Sequence, residues 1–428
     1  MNTAFVNLWN KRVGAVSWDA DRGVASFEYD SSFPANKWDI APIEMPIEQA
    51  GRIWSFPELS QTGTFKGLPG LLADVLPDKY GNTLINTWLA RHGRPVDSMN
   101  PVEMLCFVGN RGMGALEFEP VDPKSAETAT KIEISGLIDI AREILNNRQG
   151  FTATISGNNE KALLDILKIG TSAGGARAKA VIAYNEHTGE VRSGQADAPK
   201  GFLQWLIKFD GVHDSQFGET YGYGRVEMAY HNMAKDCGII MTACRLLEEH
   251  DRAHFMTQRF DRVPGKGKLH VQTWCAITHR DFQQVSAYSY EELFQTMRAL
   301  GLPYPQAEQL FIRMVFNVIA RNCDDHTKNF AFIMDKQGEW ALSPAYDVCH
   351  SYRPGSAWVS RQSLSVDGKR ENITRADLLN VAAQMNIKKA DQLISTVREV
   401  VDRWPDYAAQ VGVNEKLKNG IKATLLKI

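Results

Sequence analysis

The reading of this chain turns on Asp324-Asp325-His326-Thr327-Lys328-Asn329. Before it runs Gln306 to Arg321, with Leu310, Phe311, Met314, Val315 and Val318 at helical spacing. Asn322 is expected to end that helix as a C′ residue, because Asn tolerates the left-handed conformation. On a continued helix Asp324 and Asn329 would point about 140° apart, since five residues at ~100° each turn through ~500°. They converge only if the stretch is a loop.

Downstream, Asn329 to Met334 and Glu339 to Leu342 flank Asp335-Lys336-Gln337-Gly338, a four-residue connection ending in Gly that reads as a hairpin. Antiparallel pairing returns the chain to Asn329 and delivers Asp347 beside Asp324 and Asn329. Two carboxylates and an amide oxygen suit Mg²⁺, a hard cation that takes oxygen ligands and keeps water or phosphate in its octahedron. An Asp five residues before an Asn, with a second Asp downstream, is the order of the protein-kinase catalytic loop. There the first Asp accepts the substrate hydroxyl proton, and the Asn and second Asp hold metal. Taken singly these are ordinary loop residues; their order and spacing together point to phosphoryl transfer.

A second constellation lies upstream. Leu167-Lys168-Ile169, then Gly170-Thr171-Ser172-Ala173-Gly174-Gly175-Ala176-Arg177, then Lys179 to Tyr184 read as strand, glycine-rich loop and strand. Gly170, Gly174 and Gly175 let backbone N–H groups approach phosphates, and Arg177 and Lys179 add positive charge. No G-K-[ST] follows, so this is not a Walker A loop, and alone it is an ordinary hairpin connection. Lys208 ends the apolar run Leu203 to Ile207, and Glu227 lies 19 residues on, in the helical run Val226 to Asp236. A strand Lys paired with a helix Glu orients ATP phosphates in protein kinases, whereas singly each is a surface charge.

The rest of the chain frames these motifs. Of its 428 residues, 44% are apolar and 23% charged, the composition of a folded protein able to bury a core without a staple. A formal charge of −2, with no long basic run, argues against direct nucleic-acid binding. The six cysteines are scattered, without zinc-ligand spacing, and read as free thiols of a reducing cytosol. The alternating opening Met1 to Asp19 argues for strands, and no run of ~20 apolar residues is long enough to span a bilayer, so a cytoplasmic location is expected. Prolines and polar residues from Glu119 to Thr130 mark a linker. The expected organisation is a β-rich region over 1–123, a nucleotide-binding lobe over 124–262 and a helical catalytic lobe over 263–428. The fold class is α+β, a protein-kinase-like bilobal fold.

The chain resembles the HipA family of bacterial toxin kinases over most of its length. Asp324 to Asn329 is similar to that family's D-x-H-x-K-N loop, and Ala345-Tyr346-Asp347 to its Y-D step. Leu71 to Gly81 (LLADVLPDKYG) and Gly109 to Leu116 (GNRGMGAL) are similar to its amino-terminal region. The resemblance implies ATP and Mg²⁺ as cofactors, Asp324 as base, Asn329 and Asp347 as magnesium ligands, and Lys208 as phosphate ligand. It further implies His326 and Lys328 at the nucleotide, while the Gly174-Gly175-Ala176-Arg177 loop with Lys179 over the phosphates, and Glu227 as supporting ion-pair partner of Lys208, rest on the kinase order above. Gln258-Arg259-Phe260 is implied as the adenine hinge, with Phe260 packed on the base.

The glycine loop departs from the family's pattern, in which a Ser is followed closely by Gln-Glu-Lys. Thr171 and Ser172 are the implied autophosphorylation sites, where a phosphate of about −1.5 to −2 charge would repel nucleotide. The implied partners are a cytosolic protein substrate, with an aminoacyl-tRNA synthetase as a candidate, and a helix-turn-helix antitoxin through which alone DNA would be reached. A small-molecule phosphotransferase and a kinase-like co-repressor scaffold stand as alternatives. Asp324→Asn is expected to abolish transfer and Asp325→Asn to retain most of it.

Overall fold

In the computed structural model of the chain, residues 1–120, 137, 141, 170, 177–194, 198–212 and 221–428 are described. They form two compact units. One comprises 1–38, 45–224 and 245–270, the other 39–44, 225–244 and 271–428.

The first unit is built on two five-stranded sheets. Strands β1 (Thr3–Leu8), β2 (Lys11–Asp19), β3 (Val24–Tyr29), β4 (Ile53–Ser55) and β5 (Leu116–Glu119) pair antiparallel in the order β4-β3-β2-β1-β5. The period-2 pattern of the opening explains this sheet: Ala4, Val6 and Leu8 are buried, while Thr3 and Phe5 between them are exposed. Over Leu71 to His92 the chain forms two helices, α1 (Gly70–Ala73) and α2 (Lys79–Arg91). Pro77 separates them, lacking an N–H and forcing its predecessor out of the helical region, and Asp78 restarts the chain by capping Tyr80 N. Helix α3 (Pro101–Val108) has Asn100 as cap and Pro101 in its first turn, and it packs on β1, β2 and β5.

The second sheet has the order β7-β6-β8-β10-β9, from β6 (Lys179–Tyr184), β7 (Val191–Ser193), β8 (Leu203–Lys208), β9 (Cys244–Glu249) and β10 (Arg252–Gln258). All six residues of β6 are buried. Its core includes Ala180, Ile182, Trp205, Ile207 and Met256, closed by Tyr80 and Leu84 of α2. The hairpin β11 (Arg262–Val263) and β12 (Gly267–Lys268) completes the unit.

The second unit is mainly helical: α4 (Tyr223–Asp236), whose first two residues belong to the first unit, α5 (Trp274–Ile277), α6 (Tyr290–Ala299), α7 (Tyr304–Ile319), α8 (Arg375–Met385), α9 (Ala390–Asp402), α10 (Trp404–Gln410) and α11 (Glu415–Lys422). Helix α7 is its axis, with every residue from Leu310 to Ile319 buried, and α9 packs along it. A small sheet, β13 (His270–Thr273), β14 (Ala331–Met334) and β15 (Trp340–Leu342), carries the expected hairpin. Residues 39–44 are part of this unit although they are made early in the chain. Trp340 Nε1 donates to Asp39 O at 3.1 Å, and His279 Nδ1 lies 3.8 Å from Glu44 Oε2.

Candidate active site

Helix α7 ends one residue earlier than Asn322 suggests. Arg321 takes the left-handed conformation (φ 57°), while Asn322 is buried, its backbone N–H donating to Asn317 O at 2.9 Å and its Nδ2 to Asn317 Oδ1 at 3.0 Å. The expected left-handed stop is present, but Asn322 is spent locking the loop to the last turns of α7.

The segment that follows is a loop. Asn329 N donates to His326 O (2.9 Å) and Asn329 Nδ2 to Asp324 O (2.6 Å), so the six residues curl upon themselves. Asp324 and Asp325 part company here. Asp325 is 1% exposed and accepts from Tyr290 Oη (2.6 Å), Ser363 N (2.7 Å) and Gln362 Nε2 (3.0 Å). Burial nevertheless outweighs those three donors and pushes its pKa up to about 6. Asp324 is half-buried, and its carboxylate has as neighbour only His326, whose Nε2 lies 3.8 Å from Oδ1, among the described residues. The adjacent aspartates therefore differ in kind, one consumed by the fold and one left at the surface.

His326 and Lys328 share a partner absent from the sequence reading. The His326 ring lies 5.2 Å from the Phe282 ring, and Lys328 Nζ is 4.9 Å from the same centroid. Thr327 Oγ1, donating to Arg280 O at 2.9 Å, pins the turn between them.

The hairpin pairs Phe332 with Leu342, Ile333 with Ala341 and Met334 with Trp340. Beyond it, the returning chain is held at four points: Ser343 N to Ala331 O (2.9 Å), Arg313 Nη2 to Ser343 O (2.7 Å), Ala345 N to Ile240 O (2.8 Å) and Tyr346 Oη to Lys328 O (2.7 Å). Those bonds present Asp347 exposed and with φ 55°, a conformation uncommon for a residue with a side chain and concentrated at functional turns. Asn329 and Asp347 line one cavity of about 20 Å³ together with Asp325 and Tyr346, and Asp324 is not on that lining. The donor set fits a magnesium ion. Asn329 turns its amide nitrogen to Asp324 O, which leaves its amide oxygen for a cation, and Asp347 adds a carboxylate. Among the described residues no three His, Cys, Asp or Glu side chains form a metal cage, and Mg²⁺ does not need one, since it is completed by water and substrate phosphates.

In the first unit, the register sets Lys179 directly opposite Lys208, with Phe255 opposite Lys208 on its other side. Lys179 is 2% exposed, and Lys208 Nζ lies 5.9 Å from the Phe255 ring centroid. Like charges facing one another across strands are unfavourable by themselves. Arg177 stacks over Tyr223, its Cζ 5.1 Å from the ring centroid. Gln258 and Phe260 are half-buried and alternate with buried Arg259 and Asp261. Glu227 is buried in α4 of the second unit. Thr171, Ser172, Gly174, Gly175 and Ala176 lie outside the described residues.

Sequence reasoning missed what holds the segment that follows β10. Asp261 accepts from Arg259 Nε (2.9 Å, Oδ1), Arg259 Nη2 (2.7 Å, Oδ2), Arg262 Nη1 (2.6 Å) and Gly114 N (2.7 Å). The same arginines donate to Gly112 O and Gly114 O. The clamp thus ties the Gly109 to Leu116 segment to the end of β10. Although burial opposes ionisation, its two arginines hold the Asp261 carboxyl well below the usual carboxylate range. The available signal was the charged run Arg259, Asp261, Arg262 just past the end of β10.

With this geometry in place, the comparisons with known proteins can be read. Residues 4–119 match the model of the HipA N-terminal domain, and residues 171–405, more than half of the chain, match that of the HipA-like C-terminal domain. The chain belongs to the HipA family. HipA of Shewanella oneidensis, solved as a HipA, HipB and operator DNA complex, superposes with a TM-score of 0.69 at 17% identity, covering 98% of this chain and 94% of that one. This establishes a shared α+β HipA fold. A Sinorhizobium fredii protein named "Putative kinase Y4dM" is 28% identical over 153 residues, a stretch that is 34% of this chain and 36% of that protein. The chain thus matches only about a third of that relative's length. Among the described residues of this HipA-family chain, no helix is long and apolar enough to cross a membrane.

Proposed function

We propose that this HipA-family chain is a Ser/Thr protein kinase that transfers the γ-phosphoryl group of ATP to a protein hydroxyl and acts as the toxin of a toxin–antitoxin pair. The observation that carries the reading is the contrast between neighbouring carboxylates. Asp325 is buried and saturated, whereas Asp324 stands at the surface of a loop whose Asn329 amide is tied to the Asp324 carbonyl. That tie fixes the distance between a base and a metal-ligand position, the arrangement phosphoryl transfer requires.

In this reading Asp324 accepts the proton of the attacking hydroxyl, a contribution of about 10²–10⁴-fold. Asn329 and Asp347 would hold Mg²⁺, which supplies neutralisation of phosphate charge. Lys208 and Lys179 receive phosphate oxygens, His326 and Lys328 flank the nucleotide, and Gln258 and Phe260 meet the adenine. Thr171 or Ser172 accepts phosphate in self-inactivation. HipA of Shewanella oneidensis was solved together with HipB and operator DNA, and by analogy we propose a helix-turn-helix antitoxin as partner, with DNA reached through it.

The test is transfer of ³²P from [γ-³²P]ATP to lysate proteins and to the chain itself, with and without Mg²⁺. Magnesium-dependent label on a protein acceptor, lost in Asp324→Asn, is the expected result. Label confined to small molecules would move the assignment to a metabolite phosphotransferase.

A further inference from the structure

Segment 351–363, which follows the Asp347 turn, is fastened at both ends to the loop that carries Asp324. At its start, Ser351 N donates to Arg321 O (3.0 Å), Cys323 N donates to Ser351 O (3.2 Å), and the Arg321 guanidinium lies 3.7 Å from the Tyr352 ring centroid. At its end, Gln362 Nε2 and Ser363 N donate to Asp325, Ser363 Oγ donates to Cys323 O (3.1 Å), and Cys323 Sγ donates to Gln362 Oε1 (2.9 Å). Residues 352–361 are therefore a strap whose two feet stand beside Asp324.

The strap is shaped by its own bonds. Arg353 N donates to Val359 O (3.1 Å), Ser356 Oγ accepts from the backbone of both Trp358 and Val359 (3.3 Å each), and Val359 is buried as an anchor. This holds Trp358 outward, 40% exposed. An indole fixed at the surface presents a large contact area with little entropy left to lose, the property that makes Trp prominent in interfaces. The charged residues of 351–363 are Arg353 and Arg361, both basic and both exposed. Arg361 lies 4.0 Å from Glu371, an exposed contact worth little in water.

The geometry points to the strap 352–361 as the seat of the polypeptide acceptor, with Trp358 covering an apolar residue and Arg353 and Arg361 receiving acidic residues beside the target hydroxyl. The role of that hydroxyl rests on the phosphotransfer reading, but the seat itself is a matter of binding. A polypeptide is favoured over a nucleic acid because two arginines around an indole are a small footprint on a chain of net charge −2.

The test measures binding without turnover. Fluorescein-labelled dephosphorylated casein, which is acidic, and labelled myelin basic protein are titrated into the full chain carrying Asp324→Asn. Casein is expected to bind tighter, with Trp358→Ala weakening it about tenfold. The pair Arg353→Glu and Arg361→Glu is expected to reverse the preference, with Tm unchanged in both variants. Equal affinity for the two proteins, or casein binding untouched by these variants, overturns the seat. So does a labelled DNA duplex whose binding is lost in the variants while casein binding persists. Failure of the kinase reading is seen separately, as absence of ³²P transfer by the wild-type chain.

Discussion

Two acidic residues, Asp261 and Asp324, mark two opposite ways of using a carboxylate. Asp261 is fully buried, and two arginines and a backbone N–H saturate it. Asp324 is half-buried, and a histidine ring nitrogen at 3.8 Å is its carboxylate's neighbour among the described residues. The first arrangement leaves no capacity for a substrate and holds a segment in place. The second leaves acceptor capacity for a proton or ligand that arrives from outside. The difference teaches that in this fold strength of bonding marks structure, and its lack marks the place to look for chemistry.

Substitutions can break that contrast. The largest effect is expected from Asp324→Asn, a loss of about 10²–10⁴-fold in phosphate transfer with an unchanged Tm. A variant that kept its rate, or lost its fold, would remove Asp324 from the chemistry. Asp261→Asn should do the reverse, costing about 3–5 kcal/mol of stability by leaving buried Arg259 and partly buried Arg262 without their counter-charge. Urea denaturation reads this directly, and transfer per folded molecule should be retained.

Lys208→Met probes the cationic side. Loss of one charge-assisted phosphate contact is expected to cost about 1.5–3 kcal/mol in kcat/KM for ATP, and an unaltered KM for ATP would place the phosphates elsewhere. Asp325→Asn should be smallest in rate and visible in stability, at about 1–3 kcal/mol, because an amide hydrogen replaces an acceptor facing three donors. Its pH signature has a definite sign. A carboxyl raised from 3.8 to about 6 favours the fold below pH ~4 and loses that contribution as pH rises through ~6. Wild type should therefore gain stability relative to Asp325→Asn as pH is lowered from 7 to 4, measured by thermal denaturation at each pH.

The sequence made the loop, the hairpin and β8 legible because each is written in neighbouring residues. The five-residue spacing of Asp324 and Asn329, and a four-residue turn ending in Gly338, are local facts. Strand β8 lies over Leu203–Lys208, as read from its apolar run. Less was legible where the partner is distant. Nothing near Asp325 announces Tyr290 or Gln362, 35 and 37 positions away, so the split between the two aspartates was anticipated only by register, not by burial. The Asp261 clamp likewise depends on Gly112 and Gly114, almost 150 residues upstream. Helix α7 was placed well by its apolar spacing. Its stop at Arg321 escaped because an Arg at positive φ is imposed by the Asn322 bonds to Asn317, and not by any preference of its own.

The six residues Asp39–Glu44 give the chain an order of assembly. They leave the ribosome before most of both units exists, yet their place is in the unit completed by Val271–Ile428. Trp340, which receives Asp39, is synthesised 301 residues later. A nascent chain or a fragment released by a premature stop before Trp340 thus lacks the group that receives its own amino-terminal segment. For a protein whose proposed activity would harm its maker, that dependence leaves residues 39–44 without their place in the second unit until Trp340 has been made.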